Sequence, residues 1–253
     1  MSEPRPALSP LRDIAACIGF YTRLPLPAFA MPARGFAEAQ WAAPVAGLLV
    51  GFIGGAAMLA ALALSLPATV AAALTLAATL LVTGALHEDG LADVADGFGG
   101  GTTRERKLAI MKDSRIGAYG VAALGLSLLL RWSALATLGW AAFPALLAAH
   151  ATSRALMPAL MRLLPPARAD GVSAGAGRPG GMAVVTALLI GGFVLLAAGP
   201  GLFLVAAPLL AIALFLVRRL AARQIGGQTG DVLGALQQGA EALVLVAATL
   251  HLT

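Results

Sequence analysis

The 253-residue chain is poor in charge and almost without cysteine. Asp, Glu, Lys and Arg make up 11% of it, where soluble domains carry about 25%. That shortage excludes an ordinary soluble enzyme. With a mean hydropathy of +0.88, it also excludes a disordered chain, which needs high charge and low hydrophobicity. The single cysteine, Cys17, excludes an intrachain disulfide framework and a Cys-rich zinc site. No G-x-y period accompanies the 30 glycines and 15 prolines, so a collagen-like rod is excluded. The opening MSEPRPALSPLRD has no apolar core beside its basic residues, so no secretory signal is expected there.

What the chain does have is apolar sequence, 59% of its residues. The composition leaves an all-α, polytopic membrane protein, read as a single membrane-embedded domain over 1–253. Seven spans are expected, at 42–66, 68–86, 118–138, 140–157, 182–198, 201–217 and 236–252. Such a set needs about 140 residues. Pro67, Gly139 and Gly199-Pro200-Gly201 mark very short, uncharged breaks, so the spans they join are expected to form antiparallel hairpins. Residues from Leu8 to Phe20 are mixed in character and suit an amphipathic helix in the interface. Tyr21 to Pro27 reads as extended, because proline disfavours helix in the residue before it.

The net charge of +5 and pI near 10.3 do not point to nucleic acid, since the basic residues stand between apolar runs and are not interleaved with aromatics. They sort by side. With the N-terminus inside, Arg5, Arg12, Arg23, Arg34, Arg104, Arg106, Lys107, Lys112, Arg115, Arg162, Arg168, Arg178, Arg218, Arg219 and Arg223 all fall in inner segments. Arg131 and Arg154 lie within spans, and the outer turns hold no Lys or Arg. The positive-inside rule then places the N-terminus and the 87–117 connection in the cytoplasm and Thr253 outside.

The stretch His87 to Gly97 carries Asp89, Asp93 and Asp96 at i, i+4 and i+7. At about 100° per residue they share one helical face. Three like charges on one face call for a compensating cation, and oxygen-only ligands favour Mg²⁺; the alternative is a solvated polar cap ending a membrane helix. Glu88, about 100° away, reads as a solvated neighbour. Gly97-Phe98-Gly99-Gly100-Gly101 reads as a loop before a short cytoplasmic helix near 103–114, with Thr102 and Glu105 at capping-box spacing. Gly99 and Gly100 either offer backbone N–H groups to a phosphate or serve as a plain flexible linker. Arg104, Lys112 and Arg115 suit a metal-bridged diphosphate or attraction to anionic lipid.

Other polar residues stand apart. Asp231, in a glycine-rich turn before the last span, is a candidate site residue. Glu241 enters the membrane as a site residue or an ion-pair partner. His150 and Arg154 face one direction at i, i+4; the histidine reads as structural, and the arginine as partner to an acid or a substrate phosphate. Arg131 reads as paired or snorkelling outward. Residues 170–181 read as a glycine-rich inner loop.

Three motifs resemble those of the cobalamin synthase family, the adenosylcobinamide-GDP ribazoletransferases. They are His87-x-Asp89-Gly90-Leu91-x-Asp93-x-x-Asp96-Gly97, Lys112-Asp113-Ser114-Arg115-Ile116-Gly117-x-Tyr119-Gly120 and Gly227-x-Thr229-Gly230-Asp231-x-Leu233-Gly234-Ala235. Phe20-Tyr21-Thr22-Arg23-Leu24-Pro25 is similar to the family's N-terminal signature. The chain departs in the last helix, where the family often carries two acids and this sequence has Gln238 and Glu241.

The resemblance implies an Mg²⁺-dependent multi-pass enzyme of the cell (inner) membrane with cytoplasmic catalytic loops. It would join adenosylcobinamide-GDP to α-ribazole or α-ribazole 5′-phosphate and release GMP. The metal would lie on Asp89, Asp93 and Asp96. The phosphates would lie on Lys112, Arg115, Arg104 and the Gly99–Gly100 backbone. The nucleophile's proton would go to His87, Asp113 or Asp231. The bilayer is the expected environment, and a homo-oligomer is compatible with the sequence.

Three rivals fit less well. A CDP-alcohol phosphotransferase needs Ala-Arg soon after its Asp-Gly, and Gly97 is followed by Phe98. A membrane prenyltransferase needs a second D-x-x-x-D helix. A transporter would hold its charges near the bilayer midplane. The orientation is directly testable: a cysteine at position 139 should react with a membrane-impermeant maleimide from outside, and one at position 100 only after permeabilisation. The reverse labelling overturns the orientation.

Overall fold

The computed structural model of the protein describes residues 9–26 and 35–251. Arg5, Leu8, Pro27, Arg34 and Thr253, named above, lie outside these described residues. Among them the chain forms twelve α-helices: α1 (Pro10–Tyr21), α2 (Phe36–Ala39), α3 (Ala43–Ala63), α4 (Ala68–Thr83), α5 (Leu86–Gly100), α6 (Arg104–Ile110), α7 (Ala118–Leu138), α8 (Ala142–Leu163), α9 (Val172–Ala176), α10 (Gly181–Ala198), α11 (Pro200–Ile225) and α12 (Gly230–Ala248). Short 3-10 turns at Gln40–Ala42 and Gly139–Ala141 lead into α3 and α8.

Helix α8 is the axis of the bundle. It is buried from Ala148 to Met161 on all sides and packs against α3, α10 and α12. Small residues let the backbones approach, the usual means of helix association in lipid. A Cβ on Gly47 of α3 would stand 2.2 Å from the His150 carbonyl oxygen, and one on Gly51 would stand 2.6 Å from that of Leu146. The outer helices α10 and α11 turn Leu189, Phe193, Leu204, Ile212 and Phe215 outward. So many exposed apolar side chains suit a lipid-facing surface and not an aqueous one.

Among the described residues, five helices are long and apolar enough to cross a membrane, or six if the bent α4–α5 pair is one span. Seven were expected, and the difference has two physical sources. Helix α4 has only 16 residues, and α5 leaves it at 90°. The expected third and fourth spans form one run of 46 residues, about 69 Å at 1.5 Å per residue and so roughly twice the hydrocarbon thickness. That run folds back at Gly139, since Arg131 before it and His150 after it meet the same Glu241.

The α4–α5 corner is made by consecutive left-handed residues, Gly84 (φ 64°) and Ala85 (φ 54°). For alanine this costs about 1–2 kcal/mol. Arg23 secures the corner: its N–H donates to the Val82 carbonyl at 2.7 Å, and its side chain occupies the space a Cβ on Gly84 would need.

Four other expectations change. The glycines at 97, 99 and 100 are helical, in the last turn of α5, and do not form a loop. The cytoplasmic helix expected near 103–114 is shorter, Arg104–Ile110, capped by the Thr103 hydroxyl accepting from the Arg106 N–H. The loop at 170–181 contains α9. Helix α11 continues to Ile225 and carries Arg218, Arg219 and Arg223 beyond the expected end of its span. The stretch expected to be an amphipathic helix is helical as α1, tied to the segment before α3. The Trp41 indole donates to Asp13 at 2.8 Å, the Cys17 thiol donates to the Ala39 carbonyl at 3.2 Å, and the Tyr21 hydroxyl donates to Gln40 Oε1 at 2.6 Å.

Candidate active site

Two helix beginnings meet at the site. Asp89 lies in the first turn of α5 and Asp231 in the first turn of α12, positions where the helix dipole favours a carboxylate. The helices touch backbone to backbone. A Cβ on Gly90 would lie 2.9 Å from Asp231 Cα, and one on Gly234 would lie 3.2 Å from His87 Cα. These glycines set the separation of the acids, and a side chain at either would push the helices apart.

The start of α12 is fixed from the other side by a short parallel bridge between Pro166 and Gln228. Ala167 N–H donates to the Gln228 carbonyl, and Gln228 N–H to the Pro165 carbonyl, each at 2.8 Å. Gly227 allows this approach, because a Cβ there would meet the Pro165 oxygen at 2.4 Å. Thr229 caps the helix by accepting from the Val232 N–H, and its hydroxyl also donates to Asp231 Oδ2 at 3.1 Å. The same bridge delivers Arg168, whose Nη2 donates to Asp231 Oδ2 at 3.4 Å.

Asp89, Asp231, Arg168 and His87 line a cavity of about 210 Å³. Its remaining wall is largely apolar and aromatic, with Phe20, Tyr21, Phe36, Met157 and Met161. His87 stacks on Tyr21 at a ring separation of 5.7 Å, and its Nε2 has no hydrogen-bond partner.

Beneath the cavity lies a buried ionic network. Arg131, 1% exposed, donates from Nη1 to Glu88 Oε1 at 3.0 Å and to Glu241 Oε1 at 2.9 Å. His150 Nδ1 stands 3.1 Å from Glu241 Oε2, and Gln237 donates to the same oxygen at 2.7 Å. Gln238 donates to Glu88 Oε1 at 3.1 Å. Arg154 stays beside His150, bonded to its Nδ1 and its carbonyl oxygen. Two guanidinium groups thus balance two carboxylates inside the bundle, as ionisable groups in a membrane must be balanced. Glu88 is therefore no solvated neighbour, since it is 8% exposed and paired to Arg131. Arg131 and Glu241 are partners, and Gln238 takes part as a hydrogen-bond donor.

The expected carboxylate trio is divided. Asp96 is committed to the start of α7: its Oδ2 accepts from Gly117 N–H at 2.7 Å and its Oδ1 from Gly120 N–H at 2.8 Å. Asp93 has Asp89, Asp231 and Asp96 as repulsive neighbours and Arg168 as an attractive one. The acids that line the cavity are Asp89 and Asp231, drawn from two helices. Among the described residues, no three His, Cys, Asp or Glu side chains are grouped so that they could hold a metal ion together. The donor chemistry still suits Mg²⁺, which takes one or two carboxylates and completes its shell with water and substrate phosphates.

The expected phosphate clamp is not at this cavity. Lys112 pairs with Asp170 across the surface. Arg115, 87% exposed, grips Asp113 at 2.6 Å. Arg115 and Asp113 instead line a separate open cleft of about 500 Å³ with Arg106 and Tyr119. Hydrogen bonds from Arg115 hold the Asp113 carboxyl down to about 2, which makes it a weak proton acceptor. Arg104 donates to the backbone carbonyls of Ile225 at 2.8 Å and Ala167 at 2.6 Å, so it fastens α6 to the end of α11. Gly99 and Gly100 cannot cradle a phosphate as a loop would, because they sit in the C-terminal turn of a helix. A Cβ on Gly99 would strike the Tyr119 ring at 2.8 Å, and packing is the constraint there. Arg168 and Gln40 are site residues that sequence reasoning missed. Arg168 counted only as one inner charge, and its place next to the Gly227–Asp231 motif depends on a non-local bridge.

The family model for cobalamin-5-phosphate synthase matches residues 13–249. The protein is 52% identical to the adenosylcobinamide-GDP ribazoletransferase of Mesorhizobium japonicum over 100% of both chains. It is 54% identical to the enzyme of that name from Bradyrhizobium diazoefficiens, covering 94% of this chain and 93% of the other. It is 47% identical to that from Azorhizobium caulinodans, covering 95% and 96%. No solved structure matches.

The buried network yields a stability prediction. Arg131→Met leaves two buried carboxylates with Arg154 as their one guanidinium and should cost about 3–5 kcal/mol, seen as loss of monodisperse protein in detergent. Adding Glu88→Gln, which leaves Arg154 against Glu241 alone, should restore much of the yield. Equal yields from wild type and the single variant would contradict the network's role.

Proposed function

The chain belongs to the cobalamin-5-phosphate synthase family, and from that premise we infer how its site performs the family's transfer. It is an adenosylcobinamide-GDP ribazoletransferase, a transferase of cobalamin biosynthesis built as a multi-pass membrane protein. Its substrates are adenosylcobinamide-GDP and a ribazole, and GMP is the leaving group. In our reading the ribose hydroxyl of α-ribazole, or of its 5′-phosphate, attacks the phosphorus on the corrinoid's aminopropanol arm. The bond to the GMP oxygen breaks as the new phosphodiester forms.

The single observation that carries the assignment of residues is the convergence of Asp89 and Asp231 on one cavity with Arg168 and His87. Asp89 and Asp231 would hold Mg²⁺, which needs only one or two carboxylates, and when bound the ion supplies neutralisation of the charge that grows on the departing phosphate. Arg168, paired to Asp231 at 3.4 Å, presents a guanidinium fork suited to phosphoryl oxygens. His87 lines the cavity with Asp89 and Asp231, and its Nε2, unpartnered among the described residues, accepts the nucleophile's proton, whereas Asp113 lies in the separate cleft. The aromatic and methionine wall keeps water from competing with the hydroxyl. The charge distribution along the chain supports a cell-membrane location with this site on the cytoplasmic side.

Purified protein given adenosylcobinamide-GDP, α-ribazole and Mg²⁺ should release GMP and form the cobalamin product in equal amounts, and a chelator should abolish both. Arg168→Lys should lower turnover at least about tenfold, because an ammonium offers a point charge in place of a planar fork. Arg115→Lys should stay within about twofold of wild type. The opposite ranking would move the phosphate site to the Arg106–Arg115 cleft.

A further inference from the structure

The cavity has a second half that the phosphoryl chemistry does not use. Away from Asp89 and Asp231 its wall is formed by Phe20, Tyr21, Phe36, Met157 and Met161, a surface made for a flat apolar ring. Gln40 and Ser173 interrupt it, and the Ser173 hydroxyl is already donated to Gln228 Oε1. Gln40 is fully buried, its Oε1 already accepts from the Tyr21 hydroxyl at 2.6 Å, and its Nε2 has no partner among the described residues. A buried donor without an acceptor is costly and is the feature expected of a site completed by its ligand. The missing partner must therefore be an acceptor set in an aromatic plane.

Size narrows the choice. A cavity of about 210 Å³ lies below the 300–1,000 Å³ typical of drug-sized ligands, so it admits a bicyclic base and not a corrin ring. The base of α-ribazole is a benzimidazole. One of its nitrogens carries the sugar, and the other keeps an in-plane lone pair. Guanine, the other base present, places both donors and acceptors on its edge, and this wall answers one acceptor only.

We propose that the Phe20–Tyr21–Phe36 cavity is the specificity pocket for the benzimidazole base of α-ribazole, with Gln40 Nε2 donating to its free ring nitrogen. The corrinoid and its diphosphate then approach from the open side at Asp89, Asp231 and Arg168. This inference rests on the transferase reading above and adds which substrate the cavity selects and by which group.

The test compares α-ribazole with its indole counterpart, in which a C–H replaces the free ring nitrogen, following GMP release at saturating adenosylcobinamide-GDP. Wild type should favour α-ribazole by about tenfold in kcat/KM, the equivalent of about 1.4 kcal/mol, and Gln40→Met should lose that preference. In a second variant, Ala176→Leu at the cavity wall should raise KM for α-ribazole several-fold and leave KM for adenosylcobinamide-GDP unchanged. The wild-type comparison stands even if Gln40→Met fails to fold. Equal use of both nucleosides by wild type, or a shift confined to the corrinoid KM, overturns the pocket assignment. Absence of GMP release from wild type with α-ribazole and Mg²⁺ fails the transferase reading itself.

Discussion

One guanidinium holds the catalytic half of this protein together. Arg131 reaches from α7 to Glu88 on α5 and Glu241 on α12. In a bilayer such a charge has no water to fall back on, so both carboxylates are drawn to it and held there. The bridge forces the start of α5 against α12, and that crossing brings Asp89 beside Asp231. Gly90 and Gly234 make the crossing close enough. The strained corner at Gly84 and Ala85 aims α5 into the bundle in place of continuing α4. The site is thus a consequence of pairing charges inside an apolar bundle.

The lipid environment explains the rest of the architecture in the same terms. Apolar surface is no driving force between helices that are surrounded by apolar lipid, so close packing of small residues takes over. Helix α8, rich in alanine, meets the glycines of α3, while bulky side chains of α10 and α11 are left on the outside. Polar residues concentrate where helices end. The Pro166–Gln228 bridge, the Asp96 bonds to Gly117 and Gly120, and the Arg104 bonds to Ala167 and Ile225 tie the polar connections into one layer over the bundle. Arg168 is held in place by that layer and not by its own sequence neighbours.

Much of this was legible in the chain itself. Low charge and long apolar runs gave the helical membrane class, and the three acidic and glycine motifs pointed to the right reaction. The i, i+4, i+7 spacing located α5, since a helical face is a local property. Spacing could not tell which of the three acids would be consumed by structure: Asp96 shares the face but is spent on the backbone of the α7 start. Glycines at 97, 99 and 100 read as a loop because glycine weakens helices, yet Gly97 and Gly99 are small so that Met111 and Tyr119 can lie against α5. Glu88 looked solvated because its partner lies 43 positions away. Arg168 and Gln40 were hidden for the same reason. Each acquires a role only through contacts between distant segments, and a lone arginine among prolines or a lone glutamine beside Trp41 carries no local pattern.

The central claim is that carboxylates from two helices, Asp89 on α5 and Asp231 on α12, act on one substrate as a unit. A double-mutant comparison of turnover measures this directly, with Asp89→Asn, Asp231→Asn and the pair assayed for GMP release in protein that remains monodisperse. Groups that act together are non-additive. The account predicts that the double variant is no more than a fewfold slower than the worse single variant. Losses that multiply, each substitution taking its full factor in the presence of the other, would show that the two acids work independently and would contradict it.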